Sequence, residues 1–80
     1  MFKRPNIRHL RAFSLTVRHN NVSRAAQLAH LSQSAVSQAI ARLEDHYGCS
    51  LLERRNVGVF PTTYGSIAAR RIDRATDRLG

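Results

Sequence analysis

Cysteine occurs once, tryptophan not at all, and five acidic residues stand against thirteen Lys and Arg in an 80-residue chain. A single thiol, Cys49, excludes an internal disulfide framework, and with no second cysteine nearby there is no thiolate set for zinc. A reducing compartment fits that usage. Cys49 also lacks an evident base partner and reads as a small, partly buried hydrophobe rather than a nucleophile. The four histidines, His9, His19, His30 and His46, are scattered without an i, i+4 pair, so no metal site is expected. The scarce acids form no general acid/base pair with a pocket around it, and a chain this short leaves little room for one. Neither a cofactor nor an enzymatic activity is expected. Lys3 and Arg4 lead into Pro5 and Asn6 rather than into an apolar signal core, and no apolar run reaches membrane-spanning length. The chain reads as cytoplasmic, with no membrane partner.

What is abundant is positive charge. The formal net charge is +8, and all but one of the basic residues are arginine, whose planar fork suits phosphate oxygens and guanine edges. A polyanion is the implied partner class; the bland alternative is a basic domain with no nucleic-acid role. No repeat, low-complexity tract or Gly/Ser linker divides the chain. A single core of this size supplies only ~3–5 kcal/mol, so further stabilisation from a partner chain is expected.

The most informative stretch is Ser32 to Gly48, SQSAVSQAIARLEDHYG. At about 100° per residue, Val36, Ala39, Ile40, Leu43 and Tyr47 share one face, and Ser34, Ser37, Gln38 and Ala41 share the opposite one. One side is core; the other is short, polar and uncharged. Ser32 is a suitable N-cap and Gly48 a suitable C′ residue. Upstream, Ser23-Arg24-Ala25-Ala26-Gln27-Leu28-Ala29 reads as a second helix capped by Ser23, and the two meet across His30-Leu31-Ser32. A steep crossing over so short a turn needs a small residue against a branched one, roles that Ala26 and Val36 can fill. His30 stands where glycine is common, and it tolerates positive φ better than most residues.

Before this pair, Pro5-Asn6 can cap a first helix with Ile7, Leu10, Phe13, Ser14 and Val17 toward the core. Arg8, Arg11 and Arg18 lie off that stripe, on a solvated face or at phosphates, and Asn20-Asn21 supplies the turn that ends the helix. After Gly48 the period changes. Cys49–Leu52 and Val57–Phe60 read as two short strands around Glu53, Arg54, Arg55 and Asn56, a hairpin wing with arginine at its tip. Such an arginine can enter a narrow minor groove. Arg55 is the favoured contact, while Arg54 is either a contact or paired with Glu44 or Glu53. Pro61 closes the wing, and Thr62 or Thr63 caps a last helix. There Tyr64, Ala68, Ile72, Ala75 and Leu79 approach a coiled-coil seam, flanked by Arg70, Arg71, Asp73, Arg74, Asp77 and Arg78. Packing of that seam on a second copy is favoured over packing on its own domain.

Recognition helices put their N-terminal residues against base edges while the preceding helix crosses the backbone. The expected base readers are therefore Gln33, Ser34, Ser37 and Gln38, with Arg42 one turn on. Glutamine can contact adenine bidentately, and no arginine occupies the first two turns to select guanine, so important A·T positions are expected. Glu44 and Asp45 lie about three turns from the reading end. Ser23, Arg24 and Ser32 stand at helix starts, where free N–H groups favour phosphate; for the serines, capping alone is the alternative. A sequence-blind nucleic-acid or architectural protein and a pure dimerisation module are the rival readings, and neither explains an uncharged polar face on the central helix.

The run from Ile7 to Gly65 resembles the N-terminal winged helix-turn-helix domain of LysR-type transcriptional regulators. The residues that carry the likeness are Leu10 and Phe13, then Ser23, Ala25, Ala26 and Leu28, then SQSAVSQAIARLE from Ser32 to Glu44, and finally Gly48, Leu51, Glu53-Arg54, Thr62 and Gly65. Leu52 stands where Phe is frequent, Pro61 where Leu is usual, and Val57 where a basic residue is common. The resemblance implies a mainly α fold: three helices and a short β-hairpin wing over residues 1–61, followed by a long linker or dimerisation helix over 62–80. It implies homodimers through that helix, paired into larger assemblies, on an imperfect palindrome in promoter DNA. Base contacts would come from Gln33, Ser34, Ser37 and Gln38, and wing contacts from around Arg54 and Arg55. A small-molecule effector would act only through a further C-terminal domain not represented in these 80 residues, so the chain reads as a fragment.

Overall fold

Each helix is cut where a residue with a local reason to leave helical geometry stands. A computed structural model describes residues 7–77, as α1 (Ile7–His19), α2 (Val22–Ala29), α3 (Gln33–Tyr47), β1 (Leu52–Arg55), β2 (Gly58–Pro61) and α4 (Thr63–Asp77). The expected Pro5-Asn6 cap and the Arg78 and Leu79 positions lie outside the described residues. None of the described helices is long and apolar enough to cross a membrane.

In α1, Phe13 and Ser14 are buried and Leu10 and Val17 pack at the core's edge. Ile7 departs from the expected stripe. It sits in the first turn and is 54% exposed, because a stripe is covered only where another element lies over it. Ala12 and Thr16 are fully buried beside Phe13, and the Thr16 hydroxyl donates to the Ala12 carbonyl at 2.8 Å, which satisfies it internally. Asn20 ends the helix at φ 54°.

The cap of α2 is Asn21, not Ser23: its extended backbone (φ −157°, ψ 117°) lets Oδ1 accept from the Arg24 N–H at 3.0 Å. Asparagine caps as well as serine, and starting the helix two residues earlier brings Val22 into its first turn, where it packs against the core. His30 takes φ 57° at the other end. Its N–H donates to the Gln27 carbonyl at 3.3 Å and the Leu31 N–H to the Ala26 carbonyl at 2.9 Å, the paired closure of a Schellman turn. Ser32 then caps α3 by accepting from the Ala35 N–H at 3.0 Å, and Gly48 closes it at φ 71°. Val36, Ala39, Ile40 and Leu43 are buried, with Ala26 in the same cluster. Tyr47 is exposed instead of core.

The hairpin is shifted from its expected register. Its pairs are Leu52↔Pro61, Glu53↔Phe60, Arg54↔Val59 and Arg55↔Gly58, so both arginines lie within β1 and the tip is Asn56-Val57. Residues 49–51 form a connector instead of a strand because their polar groups are taken elsewhere. The Glu44 carboxylate accepts from the N–H of Leu51 at 2.8 Å and of Leu52 at 3.4 Å, and the Leu51 carbonyl accepts from the Thr62 N–H at 3.0 Å. Pro61 stands at the open end of the hairpin, where a missing donor is tolerated.

Thr62 caps α4, its Oγ1 accepting from the Gly65 N–H at 3.0 Å while donating to the Ser50 carbonyl at 2.7 Å. The helix lies so close to the connector that a Cβ built on Gly65 would stand 1.9 Å from the Leu51 carbonyl oxygen. Ala68, Ala69 and Ile72 join the cluster of Phe13, Leu43 and Leu51. The seam expected for a second copy is therefore broken: Ala68 and Ile72 face their own domain, while Tyr64 (66% exposed) and Ala75 do not. The small alanines are what let α4 settle onto α1. Asp73 fastens the two helices, accepting from the Ser14 hydroxyl and pairing with Arg18 at 3.8 Å.

Candidate nucleic-acid interface

The first two turns of α3 bury Val36, Ala39 and Ile40 and present their polar side at the surface. Gln33, Ser34 and Gln38 are exposed, as are Arg42 and Asp45, and Ser37 is half-buried. The aliphatic side of α3 faces inward and its uncharged polar side faces out. Gln33 Nε2 donates to the Ser23 hydroxyl at 3.2 Å, joining the first turns of α2 and α3 across the surface. Beside them, the exposed Arg24 guanidinium rests on Gln27 Oε1 at 3.3 Å. Ser32 is also exposed, its oxygen held by the cap. Two helix starts, with N–H groups left over by the helical ladder, thus share one face with Arg24.

The wing flanks α3. Successive residues of a strand point to opposite sides, and here the sides differ in chemistry. Arg54 lines a groove of about 230 Å³ together with Ser37, Ala41 and Glu44 of α3. Arg55 lies on the other side, its Nε 3.2 Å from Glu53 Oε1 and its guanidinium carbon 5.2 Å from the centre of the Phe60 ring. From sequence alone Arg55 is the favoured contact, and a Glu44 or Glu53 pair is the alternative for Arg54. The structure reverses that pairing, since Glu53 and Arg55 are i, i+2 neighbours on one face and Glu44 is occupied by backbone amides. The Glu53–Arg55 pair is exposed and contributes little, about 0–1 kcal/mol. Val57 is 84% exposed at the tip.

Two features were missed in the sequence. Glu44 acts as the anchor of the connector; the available signal was a carboxylate one step off the core stripe, just before the Gly48 reversal. The other is an apolar patch away from α3's polar face, where Tyr47, Tyr64 and Ile67 are exposed around a groove of about 430 Å³ that also touches Cys49 and Arg71. Its signal lay in the wide apolar surface of α4: the expected seam includes Tyr64 but passes over Ile67, and Tyr47 is expected in the core. Among the described residues, no group of three or more His, Cys, Asp or Glu could hold a metal ion.

The family model described as "Bacterial regulatory helix-turn-helix protein, lysR family" matches residues 7–66. The HTH-type transcriptional regulator PcaQ of Agrobacterium fabrum is 43% identical over 68 residues, covering 85% of this chain and 22% of that protein. The RuBisCO operon transcriptional regulator of Allochromatium vinosum is 47% identical over 60 residues, 75% of this chain and 20% of its own length. The chain thus spans about a fifth of these relatives. Among solved structures, a BenM DNA-binding domain in complex with catB site 1 DNA superposes with a TM-score of 0.87 at 28% identity, over 92% of this chain and 82% of that one. Vibrio fischeri DarR, also in complex with DNA, gives 0.87 at 25% identity over 96% of this chain and 26% of its own. With the winged helix, its capped α3 and a family match over most of its length, this chain belongs to the LysR family of bacterial regulatory helix-turn-helix proteins.

Proposed function

We propose that this chain binds double-stranded DNA sequence-specifically and serves as the reading head of a transcription regulator. The N-terminal half of α3 enters the major groove, and Gln33, Ser34, Ser37 and Gln38 meet base edges with Arg42 behind them. Ser23, Arg24 and Ser32 sit over phosphates. The observation that carries this reading is the outward, uncharged polar face of α3, bounded by Arg24 on α2 and Arg54 on the wing. A sequence-blind polyanion binder gains nothing from amides and hydroxyls at that place. Arg54, on the wing side that faces α3, is the stronger candidate for a minor-groove contact, and Arg55 adds charge at the outer edge. That the related BenM domain and DarR were crystallised with DNA supports DNA as the partner.

The test pairs a duplex enriched from a random pool with single-base variants of it. Gln33→Ala or Gln38→Ala loses about 1–3 kcal/mol at one base position, whereas Arg24→Ala or Arg54→Ala weakens all sequences alike. Equal affinity for enriched and scrambled duplexes would instead favour a sequence-blind binder, a role for which the +8 charge would suffice.

We further propose that the chain acts as a homodimer through α4, with Tyr64 and Ile67, and Tyr47 beside them, forming the contact rather than Ala68 and Ile72. Three large apolar side chains exposed together on a chain this small mark such a surface.

A further inference from the structure

Besides Glu44, which holds the Leu52 N–H, a second residue that the DNA-binding reading has not used ties the wing to the rest of the domain. Asn20 stands between α1 and α2 in the left-handed region, φ 54°. Its carbonyl accepts from the Val59 N–H at 3.2 Å, and its side-chain Nδ2 donates to the Val59 carbonyl at 3.2 Å. Both backbone polar groups of Val59 are therefore held by a single asparagine. In an antiparallel ladder the N–H and C=O of one residue point to the same side, so Asn20 acts as a one-residue third strand along the outer edge of β2. The approach is close enough to constrain its neighbour. A Cβ built on Gly58 would lie 2.7 Å from the Asn20 carbonyl oxygen, and Gly58 has φ 147°.

Two consequences follow from where this clamp sits. Val59 is paired directly with Arg54, the wing residue that shares a groove with Ser37 of α3. On the other side, Asn20 adjoins Asn21, the cap of α2, whose first turn carries Ser23 and Arg24. One residue thus ties the wing to the start of the phosphate-facing helix. Glycine at position 20 could adopt the same backbone and keep the first bond; only an amide side chain supplies the second. Asparagine is among the few non-glycine residues that visit this conformation readily.

We propose that Asn20 is a positioning residue for DNA recognition: its side-chain amide fixes the wing against the helix-turn-helix, and so fixes Arg54 relative to the bases read by α3. This rests on the DNA-binding function proposed above, and the test separates the two. Asn20→Gly retains the backbone conformation, and Asn20→Asp retains the shape but sets a carboxylate against the Val59 carbonyl. In the free protein, amide exchange at Val59 should quicken about two- to tenfold in Asn20→Gly, the span of one net hydrogen bond, while Leu43 is unchanged. On the enriched duplex, hydroxyl-radical protection at the flanking minor groove should fade and affinity should fall by a similar factor, with base preferences under Gln33 and Gln38 intact.

Unchanged Val59 exchange and an unchanged flanking footprint in both variants would overturn the proposal. So would a loss of flanking and central base preferences in parallel, the mark of general destabilisation. Should Asn20→Asp not fold, Asn20→Gly decides alone. A wild-type chain that does not discriminate between duplexes overturns the DNA-reading function and with it the role assigned to the clamp, while the exchange measurement still reports whether the clamp holds the wing.

Discussion

Glu44 does for the connector what a neighbouring strand would do. Its carboxylate takes the N–H groups of Leu51 and Leu52, and Leu51 is buried, so removing the acceptor leaves a donor without a partner away from water. Glu44→Ala should therefore lower unfolding stability by about 1–3 kcal/mol, read from urea denaturation, and Glu44→Gln, which keeps an acceptor, should lose less. The chain's caps were legible at this scale because capping is local: Ser32, Gly48 and His30 need only their own turn to declare themselves. Asn21 and Ser23 were confused because both residue types cap well two positions apart, and what decides between them is whether Val22 reaches the core. Which side of the wing Arg54 and Arg55 take, and which of them pairs with Glu53, was not legible. Both depend on strand register, and a shift of one residue exchanges the faces.

Among elements, the placement of α4 turns on one contact. Its first turn lies on the Leu51 carbonyl through Gly65, and Ala68, Ala69 and Ile72 continue the packing along α1. Gly65→Ala has no room for its methyl and should destabilise by at least the ~1–3 kcal/mol typical of overpacking, seen as a lower thermal midpoint. The four-residue spacing of Tyr64, Ala68 and Ile72 was readable in the sequence, but which partner the stripe meets was not. Spacing gives a face; only packing says what covers it. The wing was likewise foreseen as a hairpin, yet its strands begin later than the apolar residues suggest, since Glu44 and Thr62 claim the connector's polar groups from a distance in sequence.

For the molecule as a whole, charge and the apolar patch make separate demands. With a net charge of +8, affinity for duplex should fall with salt, log K changing by ~0.9 per neutralised phosphate on the log-salt axis. Tyr64→Ser combined with Ile67→Ser should shift sedimentation toward the monomer while leaving the unfolding midpoint of the monomeric species nearly unchanged, because both side chains are exposed. If the mutant sediments as the wild type does, the proposed dimer face is elsewhere. The central claim is that the outward face of α3 reads bases, and one experiment addresses it directly: anisotropy titration of wild type and Gln38→Ala against the enriched duplex and its full set of single-base variants. The account predicts a loss confined to one A·T position for Gln38→Ala, with the other positions discriminated as in wild type. A uniform loss across every duplex, or no loss at any, would contradict it.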